Sequence, residues 1–537
     1  MAKFFLKAVL ACAAFCVQAG AADLKNVFVA ANAGKAESME LARAYCAARS
    51  IPSGNIIALD VSDSPNISRD DYDSKIAAPI FDFLAGRKAV LTMGSAASPR
   101  DAFVVKSDVE FLVLCKGLPY RILEKPAGGN PPAKPDLVRN NSACVDSELA
   151  MLLKGAYPLA GARENPAFGR GLSRGSYKSF KIIPVSRLDG ASYSDARAVF
   201  ERSIEAEKSG LAGRAYIDKS ALYKEGDVWL DAAAEEISKL GFDLSVDSKR
   251  ACMSHFDRFD APALYFGWYS FAPTAYFKSP LTRLAPGASA LHIYSFSAKN
   301  MADVGGMWTP NLVARGACVA FGYVDEPFLA FTHRPDIYMA ALAEGLSAGE
   351  AALRASKGLS WKGMAVADPL FEPFKTGLDA QLAAAESGGG GPLSQYAVIR
   401  KMNLMEAAGD ASGARALGER FLPALRETFA LRWRLSQLCL KSSDTAAAMM
   451  YAESALPRAS EDFQNFGLAF EILASLDALG KTGLTEKFYE KMLNSQRGKN
   501  PGFYREVLPE LLKSKNLPEK IRALCAEIEA ELPPLKK

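Results

Sequence analysis

The chain has 537 residues, of which 49% are apolar, 23% charged and 10% aromatic. This is the composition of a globular protein, and it excludes a disordered, collagen-like or coiled-coil chain. Sixty-four lysines and arginines stand against 60 aspartates and glutamates, so the formal net charge is only +4. A charge balance of this kind does not indicate a nucleic-acid partner or an anionic membrane surface.

The first 22 residues have the three-part pattern of a secretory signal peptide. Lys3 and Lys7 precede an apolar run from Ala8 to Val17, and small residues follow from Ala19 to Ala22. The apolar run is about half the ~20 residues that a membrane-spanning helix needs. We therefore expect an exported protein, periplasmic or extracellular, with no membrane span after cleavage.

Cysteine usage does not indicate a disulfide framework or a metal site. The cysteines that remain after cleavage are scattered, without a CxxC motif, so most are predicted to be buried small hydrophobic residues and any pairing stays open. They are Cys46, Cys115, Cys144, Cys252, Cys318, Cys439 and Cys525.

Residues 23–380 alternate short apolar runs with helical stretches, which is typical of an α/β domain. Several runs are apolar throughout, as in strands buried on both faces, so we predict a three-layer, mainly parallel sheet of flavodoxin-like type between helices. The predicted strands are Asn26–Asn32, Asn55–Val61, Val109–Cys115, Lys181–Val185, Arg214–Lys219, Ala263–Gly267, Ala288–Tyr294 and Cys318–Tyr323. The predicted helices are Glu40–Arg49, Ser192–Lys208, Val228–Leu240 and, after a capping box at Ser347, a helix through Lys357.

Two segments interrupt this pattern. Residues 124–141 are rich in proline and glycine and are predicted to form a long loop near a site. Residues 381–394 contain four consecutive glycines and are predicted to be a flexible linker.

Residues 395–537 are predicted to form successive helices, because strand signals are almost absent there. An offset of 37 residues relates Tyr451–Leu456 to Phe488–Leu493, which resembles tetratricopeptide-type helical hairpins. A plain helical bundle is the alternative. Either arrangement offers a surface for a protein or peptide partner.

The most informative polar residues follow the apolar strand that ends at Cys115. Lys116 lies at the carboxyl edge, where open parallel sheets bind their ligands. Arg121 offers a bidentate fork for a carboxylate, and Asp146 and Glu148 supply the opposite charge. These side chains predict either a pocket for a carboxylate-bearing peptide or similar anion, or an internal ion-pair network that holds the Pro/Gly-rich loop.

An aromatic cluster surrounds the strand that ends at Gly267. It is predicted either to line a peptide groove or to pack in the core. Its members are Tyr265, Phe266, Trp268, Tyr269, Phe271, Tyr276 and Phe277.

Three histidines occur, too far apart for helical or hairpin pairing, so we predict no metal site. His292 lies inside an apolar strand and is predicted to be a hydrogen-bonded core imidazole. His255 lies just upstream of a strand and is the best candidate for a general base, with a surface histidine as the alternative. No Gly-rich phosphate loop follows a predicted strand, so no cofactor is predicted.

Several strings of sequence resemble an uncharacterised family of exported bacterial proteins. They are, in order, Phe111–Ile122, Cys144–Leu149, His292–Ala298, Gly322–Pro327 and Ala367–Leu370. The likeness covers roughly residues 24–375. It implies a companion of the exosortase protein-sorting system of bacterial envelopes, in a family without an established activity.

A more distant likeness is to gingipain-like cysteine peptidases of the caspase-like fold. It rests on the order of two strands, ending at Gly267 and Tyr294, followed by Arg315-Gly316-Ala317, the helix from Ser347 and Asp368-Pro369. In those peptidases the first strand ends in a His-Gly pair and the second in a nucleophilic cysteine.

At these two places this chain has Trp268-Tyr269-Ser270 and Ser295-Phe296-Ser297. An indole has no lone pair that can accept a proton, so Trp268 cannot act as a general base. The resemblance therefore implies a caspase-like domain without its protease pair, in which Trp268 and Ser270 are binding residues.

Three functions remain open from the sequence. The first is an envelope protein whose caspase-like domain and helical repeats recognise or assemble proteins during export. The second is an active hydrolase that uses Ser295, Ser297 or Cys318 as nucleophile, with a base such as His255. The third is a scaffold that acts through residues 395–531 alone.

Overall fold

The computed structural model describes residues 22–94, 96–125, 137, 140–513 and 517–534. The predicted signal peptide, apart from its last residue, and most of the predicted Pro/Gly-rich loop lie outside these residues. In the described part of the chain, no helix combines the length and the hydrophobicity needed to span a membrane. The seven cysteines from Cys46 onward are unpaired, and all except the partly exposed Cys252 are buried.

A sheet of ten strands forms the centre of the described chain. In chain order the strands are β1 (Val27–Asn32), β2 (Ile56–Leu59), β3 (Phe111–Cys115), β4 (Val185–Leu188), β5 (Arg214–Asp218), β6 (Leu244–Asp247), β7 (Pro262–Gly267), β8 (Ser289–His292), β9 (Val319–Tyr323) and β10 (Gly363–Ala367). Short strands form smaller sheets beside it: Asn66–Ile67 with Arg121–Ile122 and Ala143–Cys144, Val90–Met93 with Phe103–Ser107, and Arg163–Glu164 with Gly358–Leu359.

The order across the sheet is β6-β5-β7-β8-β9-β10-β4-β3-β1-β2. Neighbouring strands are parallel throughout, except that β9 and β10 are antiparallel. The sheet therefore consists of two parallel halves that run in opposite directions. The carboxyl edge of β5, β7, β8 and β9 lies on the side where β10, β4, β3 and β1 begin.

Helices cover both faces of the sheet. The helices of this region are α1 (Ala36–Arg49), α2 (Arg69–Tyr72), α3 (Ala78–Gly86), α4 (Val145–Leu149), α5 (Tyr193–Ser209), α6 (Lys224–Lys239), α7 (Trp308–Ala314), α8 (Pro335–Ala343), α9 (Ala348–Ala355) and α10 (Leu378–Glu386). Alternate residues of β7 show this arrangement, since Tyr265 packs in the cluster that includes α1, α5 and α7, whereas Leu264 and Phe266 pack in the cluster that includes α6, α8 and α9.

The prediction of a mainly parallel sheet followed by a helical region is confirmed. The predicted capping box opens α9, where Ser347 and Glu350 each bond the other's backbone amide. Two strands, β6 and β10, were not predicted, and the strand predicted at 181–185 begins only at Val185.

The C-terminal region consists of helices in its described part. They are α11 (Ser394–Ala407), α12 (Ala411–Phe421), α13 (Phe429–Lys441), α14 (Thr445–Ala459), α15 (Phe466–Ala478), α16 (Thr485–Ser495), α17 (Pro501–Lys513) and α18 (Glu519–Glu531). The predicted linker 381–394 differs from the structure at its start, because residues 381–386 are the last six residues of the nine-residue α10.

This helical region packs directly against the α/β region. The hydroxyl of Tyr396 in α11 donates to the buried carboxylate of Asp260 over 2.7 Å. Gln464 bonds the backbone of Arg283 in both directions, at 2.7 and 3.0 Å. One hydrophobic cluster contains residues of both regions, so their cores are continuous.

Candidate functional site

The candidate site lies at the carboxyl edge of β5, β7 and β8. These strands are parallel neighbours, and their last residues Asp218, Gly267 and His292 are aligned across the sheet. Ligands of open parallel sheets bind at such an edge, because the loops that follow the strands meet there.

A buried chain of hydrogen bonds connects the three strand ends. His292 Nε2 accepts the backbone N–H of Ser270 over 3.0 Å, and His292 Nδ1 lies 2.9 Å from the hydroxyl of Tyr265. That hydroxyl lies 3.0 Å from Oδ2 of Asp218. Because Nε2 accepts, the proton of the neutral ring is on Nδ1, so Nδ1–H donates to Tyr265 and the Tyr265 hydroxyl donates to Asp218.

His292 is held as a neutral ring. It is fully buried, and burial lowers its pKa to about 3. Its ring stacks on Trp308 with a centroid distance of 3.8 Å. Both ring nitrogens are engaged within the protein, which confirms the prediction of a hydrogen-bonded core imidazole and leaves no acceptor for a substrate proton.

Asp218 lies at the other end of this series of hydrogen bonds. It is buried, and burial raises its pKa to about 7. Its carboxyl also accepts the backbone N–H of Met253 over 3.2 Å. The folded protein thus keeps a proton on this carboxyl at pH values where the unfolded chain, with an ordinary pKa of 3.8, has lost it.

We expect this difference to make the protein less stable as the pH rises. Between pH 5 and pH 7, Asp218 should lower the free energy of unfolding by about 2 kcal/mol, because the folded state binds more protons than the unfolded state. Asp218→Asn should remove this part of the pH dependence. Urea unfolding of both proteins at pH 5, 6 and 7 measures it, and two curves that stay parallel would contradict the assignment.

Trp268 follows β7 and is part of the fold at this edge. Its indole Nε1–H donates to Asp227 Oδ1 of α6 over 2.8 Å, and the side chain is 2% exposed. A Cβ at Gly226 would overlap the indole, so glycine at this position of α6 allows the close approach. Ser270 donates its hydroxyl to the carbonyl of Ala272 over 2.8 Å.

The residues predicted for a hydrolase are not assembled into a catalytic pair. Ser297 is buried and its hydroxyl accepts the backbone N–H of Tyr323 over 3.2 Å. Cys318 is fully buried, and burial raises its pKa to about 11. In the described residues, no histidine ring lies within hydrogen-bond distance of Ser295, Ser297 or Cys318.

His255 lies elsewhere, at the contact with the helical region. Its Nδ1 is 2.9 Å from Oε2 of Glu506 in α17, and Oε1 of the same carboxylate accepts its backbone N–H over 2.8 Å. The ring packs between Tyr276 and Phe503. Because the side chain is only 3% exposed, His255 is a buried contact rather than a surface histidine.

Asp146 and Glu148, the two acids predicted for a polar pocket, lie on α4 and are buried. Asp146 binds the guanidinium of Arg187, with 2.6 Å between Nη2 and Oδ2. Glu148 Oε1 lies 2.8 Å from Nη1 of Arg69 and accepts the hydroxyl of Tyr157 over 2.9 Å.

Lys116 and Arg121 have other partners than these acids. Lys116 Nζ lies 3.1 Å from Oδ1 of Asp189 and 2.6 Å from the carbonyl of Gly190. Arg121 Nε donates to the side-chain oxygen of Asn66 over 2.7 Å. The four predicted residues therefore do not pair with one another, and their role in ligand binding stays a prediction.

The predicted aromatic cluster divides into a buried and an exposed part. Tyr265, Phe266, Trp268, Tyr276 and Phe277 are buried in the core. The exposed part, together with Tyr223 and Tyr294, forms what we name the aromatic face: Tyr223, Tyr269, Phe271 and Tyr294.

The aromatic face is continuous. Tyr269 contacts Tyr223 at 5.5 Å and Tyr294 at 4.7 Å between ring centroids, and Phe271 contacts Tyr294 at 5.7 Å. Phe271 is 72% exposed, Tyr223 54% and Tyr269 37%. Tyr223 was missed because it precedes α6, more than 40 residues before the others in sequence.

Comparison of the chain with protein-family models, with curated proteins and with solved structures finds no match.

Proposed function

We propose that this is an exported envelope protein that recognises a peptide or protein partner through the aromatic face, on a caspase-like domain without a protease pair. The observation that carries the proposal lies at the carboxyl edge of β7 and β8. There the ring of His292 bonds to the hydroxyl of Tyr265 and the backbone N–H of Ser270, and the indole of Trp268 bonds to Asp227, so these polar groups are occupied inside the protein, while the aromatic face is open to solvent. Aromatic side chains provide much of the binding free energy at protein interfaces.

The positions of β7 and β8 support the caspase-like part of the proposal. The two strands are adjacent and parallel, and they end in register at one edge, as the resemblance implies. The segment that would carry a base, Trp268–Ser270, follows β7 directly, and the segment that would carry a nucleophile, Ser295–Ser297, follows β8 after Ile293 and Tyr294.

In this proposal the helical region is tetratricopeptide-like and adds a second binding surface. The two related segments lie in α14 and α16, and consecutive helices such as α13 and α14 or α17 and α18 pack as neighbours. The leader pattern and the resemblance support a role in protein recognition or assembly linked to export and sorting.

The test is to select random 12-residue peptides by phage display on the immobilised full-length protein. Peptides selected in this way should bind the wild type and lose at least about tenfold in affinity for Phe271→Ala, because removal of an anchoring aromatic side chain costs about 2 kcal/mol or more. Phe103→Ala removes another well-exposed phenylalanine, 59% exposed in a different sheet, and should leave the affinity unchanged.

Equal binding of the selected peptides to wild type and Phe271→Ala would show that the aromatic face is not the binding surface.

The hydrolase alternative is tested by a separate labelling experiment. Stoichiometric labelling of Ser295, Ser297 or Cys318 by a fluorophosphonate or a thiol-reactive peptide would show an active nucleophile and overturn the proposal.

A further inference from the structure

A cavity of about 510 Å³ lies away from the aromatic face, between α2, α3, α4 and the segment Ala97–Arg100. Its volume is in the range of small-molecule sites. The inner wall is apolar and buried, formed by Ala77, Met151 and Leu152. An aliphatic chain of several carbons is therefore the part of a ligand that this wall fits.

Two tyrosines and two aspartates surround the apolar wall. Tyr72 and Tyr157 line the cavity, and so do Asp70 and Asp73, which lie three residues apart, Asp70 in α2 and Asp73 at the start of the helical turn that follows. Asp70 is bound by Lys125 over 2.8 Å. Asp73 has a weaker partner, because Arg100 Nη2 lies 3.8 Å from its Oδ1.

Burial acts on the ionisable groups of the cavity. It raises the pKa of Asp73 against the lowering effect of Arg100 and Arg69, and Glu148 and Asp70 add smaller raising effects. Burial and the charge of Glu148 also raise the pKa of Tyr157. An opposite charge close by stabilises an ionised carboxylate, and the half-exposed carboxylate of Asp73, whose nearest arginine nitrogen lies 3.8 Å away, is the group that an added cation would reach.

A side chain of the protein already places a cation in this cavity. The guanidinium of Arg100 lies over the ring of Tyr157, 5.1 Å from the centroid, and its Nη2 is 3.4 Å from Oε1 of Glu148. A carboxylate beside an aromatic ring is a common environment for ammonium and guanidinium groups. Arg100 occupies one side of this environment, while Asp73 is 40% exposed on the other.

We propose that this cavity binds an aliphatic amine or guanidine, with the cationic end at Asp73 and the carbon chain along Ala77, Met151 and Leu152. The ligand is the basic side chain of a peptide or a free diamine, since both carry this chemistry. Arg100 competes with the ligand, because it is the cation nearest to Asp73. The proposal is independent of peptide binding at the aromatic face.

Calorimetric titration of the full-length protein at low salt tests the proposal with three probes. Nα-acetyl-lysine methylamide represents a peptide side chain, 1,5-diaminopentane a free diamine, and Nα-acetyl-norleucine methylamide the same aliphatic chain without the charge. At least one of the two cationic probes should bind saturably and at least about tenfold more tightly than the norleucine probe, since a hydrogen bond to a charged group accounts for that difference. Which of the two binds more tightly identifies the source of the ligand.

Three variants locate the binding. Asp73→Asn should weaken the cationic probe about tenfold, whereas the matched control Asp71→Asn should not, because Asp71 pairs with Lys75 outside the cavity. Arg100→Gln should tighten binding, because it removes the competing cation. A ligand with a carboxylate head would instead lose affinity in Arg100→Gln.

The proposal is overturned by any of three results: no saturable binding of either cationic probe, equal binding of the norleucine probe, or unchanged affinity in Asp73→Asn. If Asp73→Asn does not fold, as judged by circular dichroism, the direction of the Arg100→Gln effect and the norleucine comparison decide the question. None of these results depends on Phe271.

Discussion

Replacing Arg187 with alanine should destabilise the folded protein by about 3–5 kcal/mol. Arg187 lies on β4 and is fully buried in the sheet. Its guanidinium contacts the carboxylates of Asp146 at 2.6 Å and Asp189 at 3.3 Å, and it donates to the carbonyls of Leu118 and Pro119. Alanine would leave two buried carboxylates and two carbonyl oxygens without this donor.

The large effect comes from the groups that remain. A buried ion pair adds little net stability compared with an apolar replacement, but removal of one partner leaves an uncompensated charge in a medium of low polarity. Asp146 and Asp189 are 2% and 3% exposed, so water cannot replace the guanidinium. Arg187 also connects α4 to the segment that carries Lys116 and Arg121, so its loss should loosen the predicted polar cluster.

Urea unfolding followed by tryptophan fluorescence measures this effect. The matched control is Arg197→Ala, which removes an exposed arginine paired with Glu201 four residues later on α5. Water and salt screen such an exposed pair, so it contributes little to stability and the control should unfold almost as the wild type does. Equal losses of stability in the two variants would show that the network around Arg187 is not the cause.

The strands buried on both faces were predictable from sequence, since short runs that are apolar throughout, such as Phe111–Cys115, are typical of such strands. The missed strands lack that signal. β6 is an edge strand whose residues are mostly half-exposed, and β10 is a short run of small residues whose antiparallel partner β9 begins more than 40 residues earlier. Strand pairing over such distances leaves no local pattern.

The candidate site was predictable only in part, for a similar reason. The sequence indicates that Lys116 lies at a strand end and that Asp146 and Glu148 supply the opposite charge, but the partners of all three are set by the tertiary fold. Arg187 binds Asp146 from 41 residues away in sequence. The predicted strand ends at Val185, where the observed strand begins, because Arg187 interrupts the apolar run. The arginine inside this short strand, directly before the apolar Leu188, is the one signal that could have identified it.

The end of β7 at Gly267 explains the divided aromatic cluster. Tyr265 and Phe266 point to opposite faces of a strand covered on both sides, so both are buried. Beyond Gly267 the chain leaves the sheet, and the aromatic side chains of Tyr269 and Phe271 reach solvent. Periodicity cannot predict exposure in such an irregular segment. For this reason the sequence alone leaves open whether the aromatic cluster lines a peptide groove or packs in the core.

The contact between the α/β and helical regions was not predictable, because the glycine-rich segment indicates only flexibility. In the structure the ring of Tyr276 packs against Phe259 on one side and Phe463 of the helical region on the other, with centroid distances of 4.8 and 6.0 Å. Removal of residues 395–537 would therefore expose this aromatic core. The scaffold hypothesis is better tested with substitutions in the full-length chain than with a truncation.

Gly467→Ala should destabilise the protein by about 3 kcal/mol, as overpacking does where the surrounding backbone cannot move. Gly467 lies on α15, where an added Cβ would overlap the backbone of Asp257 and Arg258 in the α/β region. This backbone is fixed, because the side chain of Arg258 binds Asp260 at 2.8 Å, and Asp260 in turn accepts the Tyr396 hydroxyl. The added methyl group must push α15 away and separate the two regions.

Gly502→Ala on α17 is the matched control, since its Cβ would meet only the side chain of Asn500 at an ordinary 3.7 Å. That substitution should be neutral or stabilise the helix by up to about 1 kcal/mol. Urea unfolding compares the two variants, and limited proteolysis of the glycine-rich segment reports whether the regions separate. A Gly467→Ala protein as stable and as protease-resistant as Gly502→Ala would mean that the helical region does not dock at Asp257, and that its surface is free to bind a partner independently.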